Sequence, residues 1–363
     1  MDTDARTGGR GSGTTERVLD DPAWFGASMG TAAVASVAAL NPGRDEAVRA
    51  VSHTLGVLLL AASALVFTFL LIRDFGIRRL GRTLVAQLRS PVTGASYATI
   101  PGSINVMALA SIHLWPQLAT STAGWWLLAV AATTGTGLGL WLTVEFFVST
   151  FEHPEVDARS ISGVWFIPET VVLLGALLFS ELARTGPASS AENLTVVAFA
   201  LLGAGALLFA FTAAIFLNRL VLHSHDRRRE VPTVVIMLSP LAITSLALQA
   251  VARDASLVGG IWSAALLEMA AMLAAMLWGF GLWWLAVVLV IARHAGRDAL
   301  TGTARDWGYV FPPAAMVIAT LVLGRFWTAP IVEALGALLS LGLLVVWATI
   351  ATRSIGIIRR SRS

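Results

Sequence analysis

Residues 162–182 read SGVWFIPETVVLLGALLFSEL, a run with two carboxylates, Glu169 and Glu181, no basic residue and a proline, Pro168, near its start. An apolar run of this length matches the hydrocarbon core of a bilayer, about 30 Å at 1.5 Å of rise per helical residue. The proline removes an amide donor and frees the carbonyl four residues back. At membrane depth such a backbone is tolerated where it is buried in protein or borders water. The stretch therefore predicts a membrane helix that faces other helices or a wet passage.

Nine further apolar runs flank it, at about 23–41, 52–73, 98–118, 124–148, 192–218, 233–252, 259–292, 307–324 and 331–352, which makes ten. The 259–292 run is the longest and is interrupted by Glu268, Gly279 and Gly281. Two spans would need roughly 40 residues and a turn, so it is read as one long span. Composition agrees: of 363 residues 56% are hydrophobic and 13% charged, against about a quarter charged in soluble domains. Mean hydropathy is +0.75. The prediction is an all-α integral membrane protein of ten spans. Residues 1–22 are expected to form a disordered cytoplasmic tail, 23–352 the transport domain and 353–363 a short basic tail.

Charge placement tests the count separately, because loop arginine and lysine concentrate on the cytoplasmic side. All 25 basic residues are arginine. With the amino terminus inside, 20 fall on cytoplasmic segments, and 5 (Arg44, Arg49, Arg184, Arg253 and Arg325) fall opposite. This predicts a multi-pass protein of the cell membrane with both termini cytoplasmic. The basic balance thus describes topology and calls for no nucleic-acid partner. The Arg227–Arg229 run reads as a loop held by anionic lipid headgroups. Cysteine is absent, which excludes disulfides, thiolate nucleophiles and Cys-ligated metals.

Pro101, Pro168, Pro240 and Pro312 (followed by Pro313) lie in the third, fifth, seventh and ninth runs. They recur about every 70 residues, the length of one helical hairpin with its loops. One step back from Pro101 reaches Gly30, where a glycine replaces the proline. Tyr97, Trp165 and Tyr309 precede three of the prolines by about one helical turn. The pattern predicts five quasi-repeated hairpins, with odd helices kinked around a central pore and even helices outside. Ser28, Thr31, Thr99, Ser103, Asn105, Ser111, Thr170, Ser239, Thr244 and Ser245 fit an inner ring. Gly26 and Gly30 make a GxxxG step, whose close-packing reading is at least as good as pore lining.

On Trp24–Phe25–Gly26, Met29–Gly30–Thr31, Arg89–Ser90–Pro91 ahead of Ile100–Pro101, Trp165–Phe166–Ile167–Pro168, Leu238–Ser239–Pro240 and Trp307–Gly308–Tyr309–Val310–Phe311–Pro312, the chain resembles the tellurite-resistance/C4-dicarboxylate transporter family. That family includes plant slow anion channels and yeast malate and sulfite transporters. The resemblance covers residues 22–355. It implies a ten-helix monomer with a central pore, three monomers side by side, and a pore-plugging phenylalanine on the ninth helix at the position of Phe311. It implies kinks at Pro101, Pro168, Pro240 and Pro312; Gly30 departs from that pattern. Without the resemblance Phe311 is an aromatic packed beside two prolines. The implied cargo is a small anion such as malate or sulfite, and no cofactor is called for.

No arginine lies in the middle of an odd run, so a fixed cation is not expected to supply selectivity. Glu169 has three readings: held uncharged by its surroundings, coupling proton movement to the substrate in a carrier, or facing a packing interface. Glu268 and Glu333 lie in even runs, where hydrogen bonding between helices is the default. His113 reads as interfacial. Gly135–Thr136–Gly137–Leu138–Gly139 follows no strand and reads as helix packing, not a nucleotide loop. His223–Ser224–His225 is too small for a metal site. Acids and histidines are dispersed, which argues against a membrane enzyme.

Overall fold

The computed structural model describes residues 21–40, 45–75, 87–88, 90, 93–152, 158–223, 227–255, 264–296 and 300–362. Of the predicted tail over residues 1–22, residues 1–20 lie outside these, and Asp21 and Pro22 belong to the start of a 3₁₀ turn, Pro22–Trp24. Ten long helices lie among the described residues: α1 (Phe25–Leu40), α2 (Glu46–Phe75), α3 (Thr99–Leu114), α4 (Thr122–Glu152), α5 (Phe166–Thr185), α6 (Ala188–Leu222), α7 (Leu238–Ala255), α8 (Ala264–Ala295), α9 (Phe311–Phe326) and α10 (Pro330–Arg362). No strand occurs among the described residues. Nine of the ten are long and apolar enough to cross a membrane, so the protein is a multi-pass membrane protein.

The helix outside that set is α3, which has 16 residues and carries Thr99, Ser103, Asn105, Ser111 and His113. Together with the 3₁₀ turn Gly94–Ala98 before it, it extends for about 34 Å, taking 1.5 Å per α and 2.0 Å per 3₁₀ residue. The long 259–292 run is one unbroken helix from Ala264 to Ala295; residues 259–263 lie outside the described set. The predicted C-terminal tail is helical as far as Arg362, as a continuation of α10.

Five helices close into a circuit. Helix α1 packs on α3, α3 on α5, α5 on α7, α7 on α9, and α9 returns to α1. Each also packs against the next helix in sequence, α2, α4, α6, α8 and α10 respectively. Burial separates the two sets: 72–89% of the span windows of α1, α5, α7 and α9 are buried, against 22–39% for the even-numbered helices. Apolar side chains such as Leu65, Trp126, Leu207, Met272 and Val345 face outward from the second set, as lipid solvation requires.

Every helix of the circuit begins with a 3₁₀ lead-in: Pro22–Trp24, Gly94–Ala98, Gly163–Trp165, Val235–Met237 and Ala304–Tyr309. The lead-ins touch one another in the same cyclic order as their helices. Pro101, Pro168, Pro240 and Pro312 all sit in the first turn of the α-helical part. First-turn amides have no helical acceptor in any case, so proline loses little there. It does forbid the α hydrogen bond to the residue four back, and the chain enters each helix in the tighter 3₁₀ form. Pro101, Pro168 and Pro312 therefore mark a change of helix type at the helix start, whereas at Pro240 the 3₁₀ turn joins α7 to a short preceding α-helix, Arg227–Val234, so the arginine run read as a loop is helical. The carbonyl freed by Pro240, that of Ile236, accepts from the Ser239 hydroxyl at 2.8 Å.

Candidate functional site

Two cavities lie along the axis of the circuit. One, of about 320 Å³, is bordered by lead-ins and first turns, including Gly26, Thr99, Ile167, Ser239 and Pro312. The other, of about 590 Å³, is bordered by the helices' later turns, including Ser36, His113, Arg184, Gln249 and Arg325. Because N-terminal residues of all five helices line one cavity and C-terminal residues line the other, the five helices run in the same direction. Phe311 borders both cavities and is 7% exposed. Around it the walls are apolar, with Met29, Ile167 and Ile236 on the N-terminal side and Val106, Leu174 and Ile243 on the C-terminal side.

Phe311 is held there by its neighbours in sequence and space. It is the first residue of α9, between the fully buried Val310 and Pro312 in the first turn. Helix α1 lies directly behind: a Cβ built on Gly30 would sit 2.9 Å from Val310 Cγ1 and 3.5 Å from the Phe311 amide nitrogen. Gly26, one turn earlier, faces Trp307. The GxxxG step thus serves close packing of α1 against the segment that carries Phe311. Gly30 borders neither cavity, nor do Pro101, Pro168 and Pro240, whereas Pro312 borders the smaller one.

Most polar residues of the ring helices knit helices together and do not face the axis. Ser28 and Ser63 of α2 exchange hydrogen bonds through both hydroxyls and carbonyls, at 2.8–3.1 Å. Ser103 donates to the Phe25 carbonyl at 3.1 Å and Ser245 to that of Ala274 at 2.8 Å. Thr31 accepts from the Trp347 indole of α10 at 3.1 Å. Of the ten expected to line an inner ring, Thr99, Thr170 and Ser239 border a cavity. The reason is angular: successive helical residues are about 100° apart, so a neighbouring helix on either side claims most of the circumference.

Glu169 is fully buried. It borders neither cavity; among the described residues neither carboxylate oxygen makes a hydrogen bond of ordinary geometry, and the Thr212 side chain of α6 faces it. Its backbone carbonyl lies near Gly205 of α6, at 3.3 Å from a built Cβ, so it belongs to the α5–α6 packing interface. Glu268 and Glu333 are exposed. Gly135 and Gly139 approach Asn105 and Val171 closely, as helix packing requires.

Charge on the cavity walls departs from expectation. A fixed cation does border the passage: Arg219, in the last turn of α6, is 4% exposed and lines the smaller cavity. It comes from an even-numbered helix, which is why inspection of the odd runs misses it. Arg184, Arg253 and Arg325, from the last turns of α5, α7 and α9, border the larger cavity with His113 of α3. From His113 onward these four recur at the same hairpin period as the prolines, and that repeat is the signal by which sequence could have found them. Each arginine is anchored: Arg184 to Glu181, Arg253 to Asp254 at 3.3 Å, and Arg325 to the Leu40 carbonyl. Asp254 in turn accepts from Ser180.

Among the described residues no group of three or more His, Cys, Asp or Glu could hold a metal ion. Residues 21–355 match the voltage-dependent anion channel family. The chain is 24% identical over 339 residues to an uncharacterized transporter of Methanocaldococcus jannaschii, covering 90% of each chain. It is 23% identical over 345 residues to a sulfite efflux pump of Arthroderma otae, covering 90% of this chain and 87% of that one. A Schizosaccharomyces pombe protein provisionally named for malic acid transport is 22% identical over 336 residues, covering 90% of this chain and 76% of its own.

Proposed function

Since this chain belongs to the voltage-dependent anion channel family, we propose that it moves small anions across the cell membrane along the axis of its five-helix circuit, with Phe311 as the gate. The observation that carries this reading is that Phe311 borders both cavities. Apolar walls on either side make a dry constriction there, which an anion crosses only if the ring moves aside. The closed circuit of helix contacts supports ten crossings arranged as five hairpins, with α3 and its lead-in as the crossing of lowest hydropathy. The arginine balance supports cytoplasmic termini. The smaller cavity is then cytoplasmic and the larger one external. The family resemblance also carries a homotrimer, for which the outward apolar faces of the even-numbered helices supply the surface shared with lipid.

Malate, another C4-dicarboxylate or sulfite is the proposed cargo, and the relatives' names point to both kinds of anion. A proton-coupled carrier built on Glu169 has less support, because that carboxylate borders neither cavity. The test is flux of malate, sulfite, nitrate and chloride into proteoliposomes for the unaltered protein and for Phe311→Ala. A rise in the variant supports the plug. Loss of all flux in the variant assigns Phe311 to packing, and no flux of any anion in either protein overturns the transport reading.

A further inference from the structure

The charged side chains on the wall of the larger cavity are all engaged. Glu181 is paired with Arg184, Arg253 with Asp254 at 3.3 Å, and Arg325 donates to the Leu40 carbonyl. The Ser180 hydroxyl donates to the Asp254 carboxylate. Gln249 of α7 is different. It borders this cavity and is 7% exposed, and among the described residues its amide nitrogen Nε2 has no hydrogen-bond partner. His113 of α3 borders the same cavity, and its Nδ1 is likewise buried with no partner among the described residues. Buried polar groups are ordinarily paired, and leaving one unmet is destabilising.

Gln249 is turned to the axis. Ile243, Leu246, Ala250 and Arg253 border the cavity with it and recur at steps of three or four residues, which marks one face of α7. Ser245, on another face, is spent on the Ala274 carbonyl of α8 at 2.8 Å. Gln249 stands nine residues after Pro240, as Leu177 stands nine after Pro168, and Val322 stands ten after Pro312. Leu177 and Val322 also border the cavity. At this depth, about 6 Å or one helical turn inside Arg253, the neighbouring helices present apolar side chains where α7 presents an amide. An amide nitrogen offers two donors, and an imidazole nitrogen donates or accepts according to its tautomer. The occupant that meets both is a small molecule with at least two acceptor oxygens, a carboxylate or sulfite. The cavity, at about 590 Å³, falls within the roughly 300–1,000 Å³ of small-molecule sites.

We infer that Gln249 and His113 form a binding site in the larger cavity for the carboxylate or sulfite oxygens of the cargo, one helical turn inside the arginine rim. The assignment of that ligand rests on the transport reading above. Recognition comes from two unspent hydrogen-bonding groups set among apolar walls, where a bond to a charged acceptor is stronger than in water. The rim arginines act differently: they attract any anion over several ångströms, whereas Gln249 and His113 hold one that presents oxygen acceptors.

The experiment pairs thermal melts of the full chain in detergent, with and without malate or sulfite, with flux into proteoliposomes in the Phe311→Ala background, the anion being added on the side of the larger cavity. Gln249→Leu, Gln249→Glu and His113→Phe are made singly. Malate or sulfite should raise the melting temperature of the unaltered protein. Gln249→Leu should melt higher than the unaltered protein when no anion is present, because an unpaired buried amide is gone, yet lose the rise with anion; a residue that only packs would not give that opposed pair of changes. In flux, Gln249→Leu should raise half-saturation about tenfold or more, the loss of one hydrogen bond to a charged group. Gln249→Glu should raise it further by repulsion, and His113→Phe several-fold. An anion-induced rise kept in Gln249→Leu, or unchanged half-saturation with Phe311→Ala conducting, overturns the site and leaves the transport reading standing; a water held by Gln249 and His113 would give that result. No rise with either anion in the unaltered protein also overturns the site. If Phe311→Ala does not conduct, the transport reading fails, and a rise that Gln249→Leu loses still keeps the binding site.

Discussion

Gly30→Ala isolates the contact that seats Phe311, the proposed gate. The added Cβ would lie 2.9 Å from Val310 Cγ1 and 3.1 Å from Val310 Cβ, where carbon atoms prefer about 3.5–4.0 Å. Relief needs a shift of about 0.6 Å, and Val310 cannot swing into space because it is fully buried. Overpacking of this kind costs about 1–3 kcal/mol. Replacing a mid-helix glycine by alanine returns up to about 1 kcal/mol of helix propensity. The net expectation is a destabilisation of about 1 kcal/mol, or about 1–2 °C in a thermal melt of a chain this long, with altered anion flux because residues 310–311 must move together. Gly203→Ala is the matched control, since its Cβ would meet nothing within 4 Å; it should melt at or above the original temperature with unchanged flux. Truncating Val310 to alanine should absorb the methyl, so the double variant should fall short of additive loss by about 1 kcal/mol. A Gly30→Ala protein that melts like the control, or a double variant that is strictly additive, would refute the claim that α1 braces the gate segment.

Two further outcomes test the rest of the pathway. Neutralising Arg184, Arg253 and Arg325 together to glutamine should slow entry of malate from the side of the larger cavity several-fold at low salt. The effect should fade near 1 M salt, where the screening length is about 3 Å; an equal loss from both sides, or none, would remove their role as an anion-collecting rim. Glu169→Gln should leave the pH profile of flux where it was, since Glu169 borders neither cavity, and a displaced profile would restore proton coupling as the better account.

What one chain of letters determined is the part of the fold written in local chemistry. Ten apolar runs, a proline recurring once per helical hairpin and an uneven distribution of arginine follow from the thickness of the bilayer, the missing amide of proline and the charge of loops, none of which needs a neighbour to be known. The family was legible because each of its motifs is contiguous, and Phe311 was singled out only through that resemblance. The direction of a side chain around its helix is not local. Ser28, Ser103 and Ser245 look like pore residues until α2, α1 and α8 supply their partners. Glu169 sits beside a motif proline yet turns to α6, and Arg219, counted as one more loop arginine, is carried into the cavity by the last turn of an outer helix. Only packing decides which third of each helix's circumference faces the axis, because in lipid both the buried and the exposed faces are apolar and the hydropathy pattern that orients a soluble helix is lost.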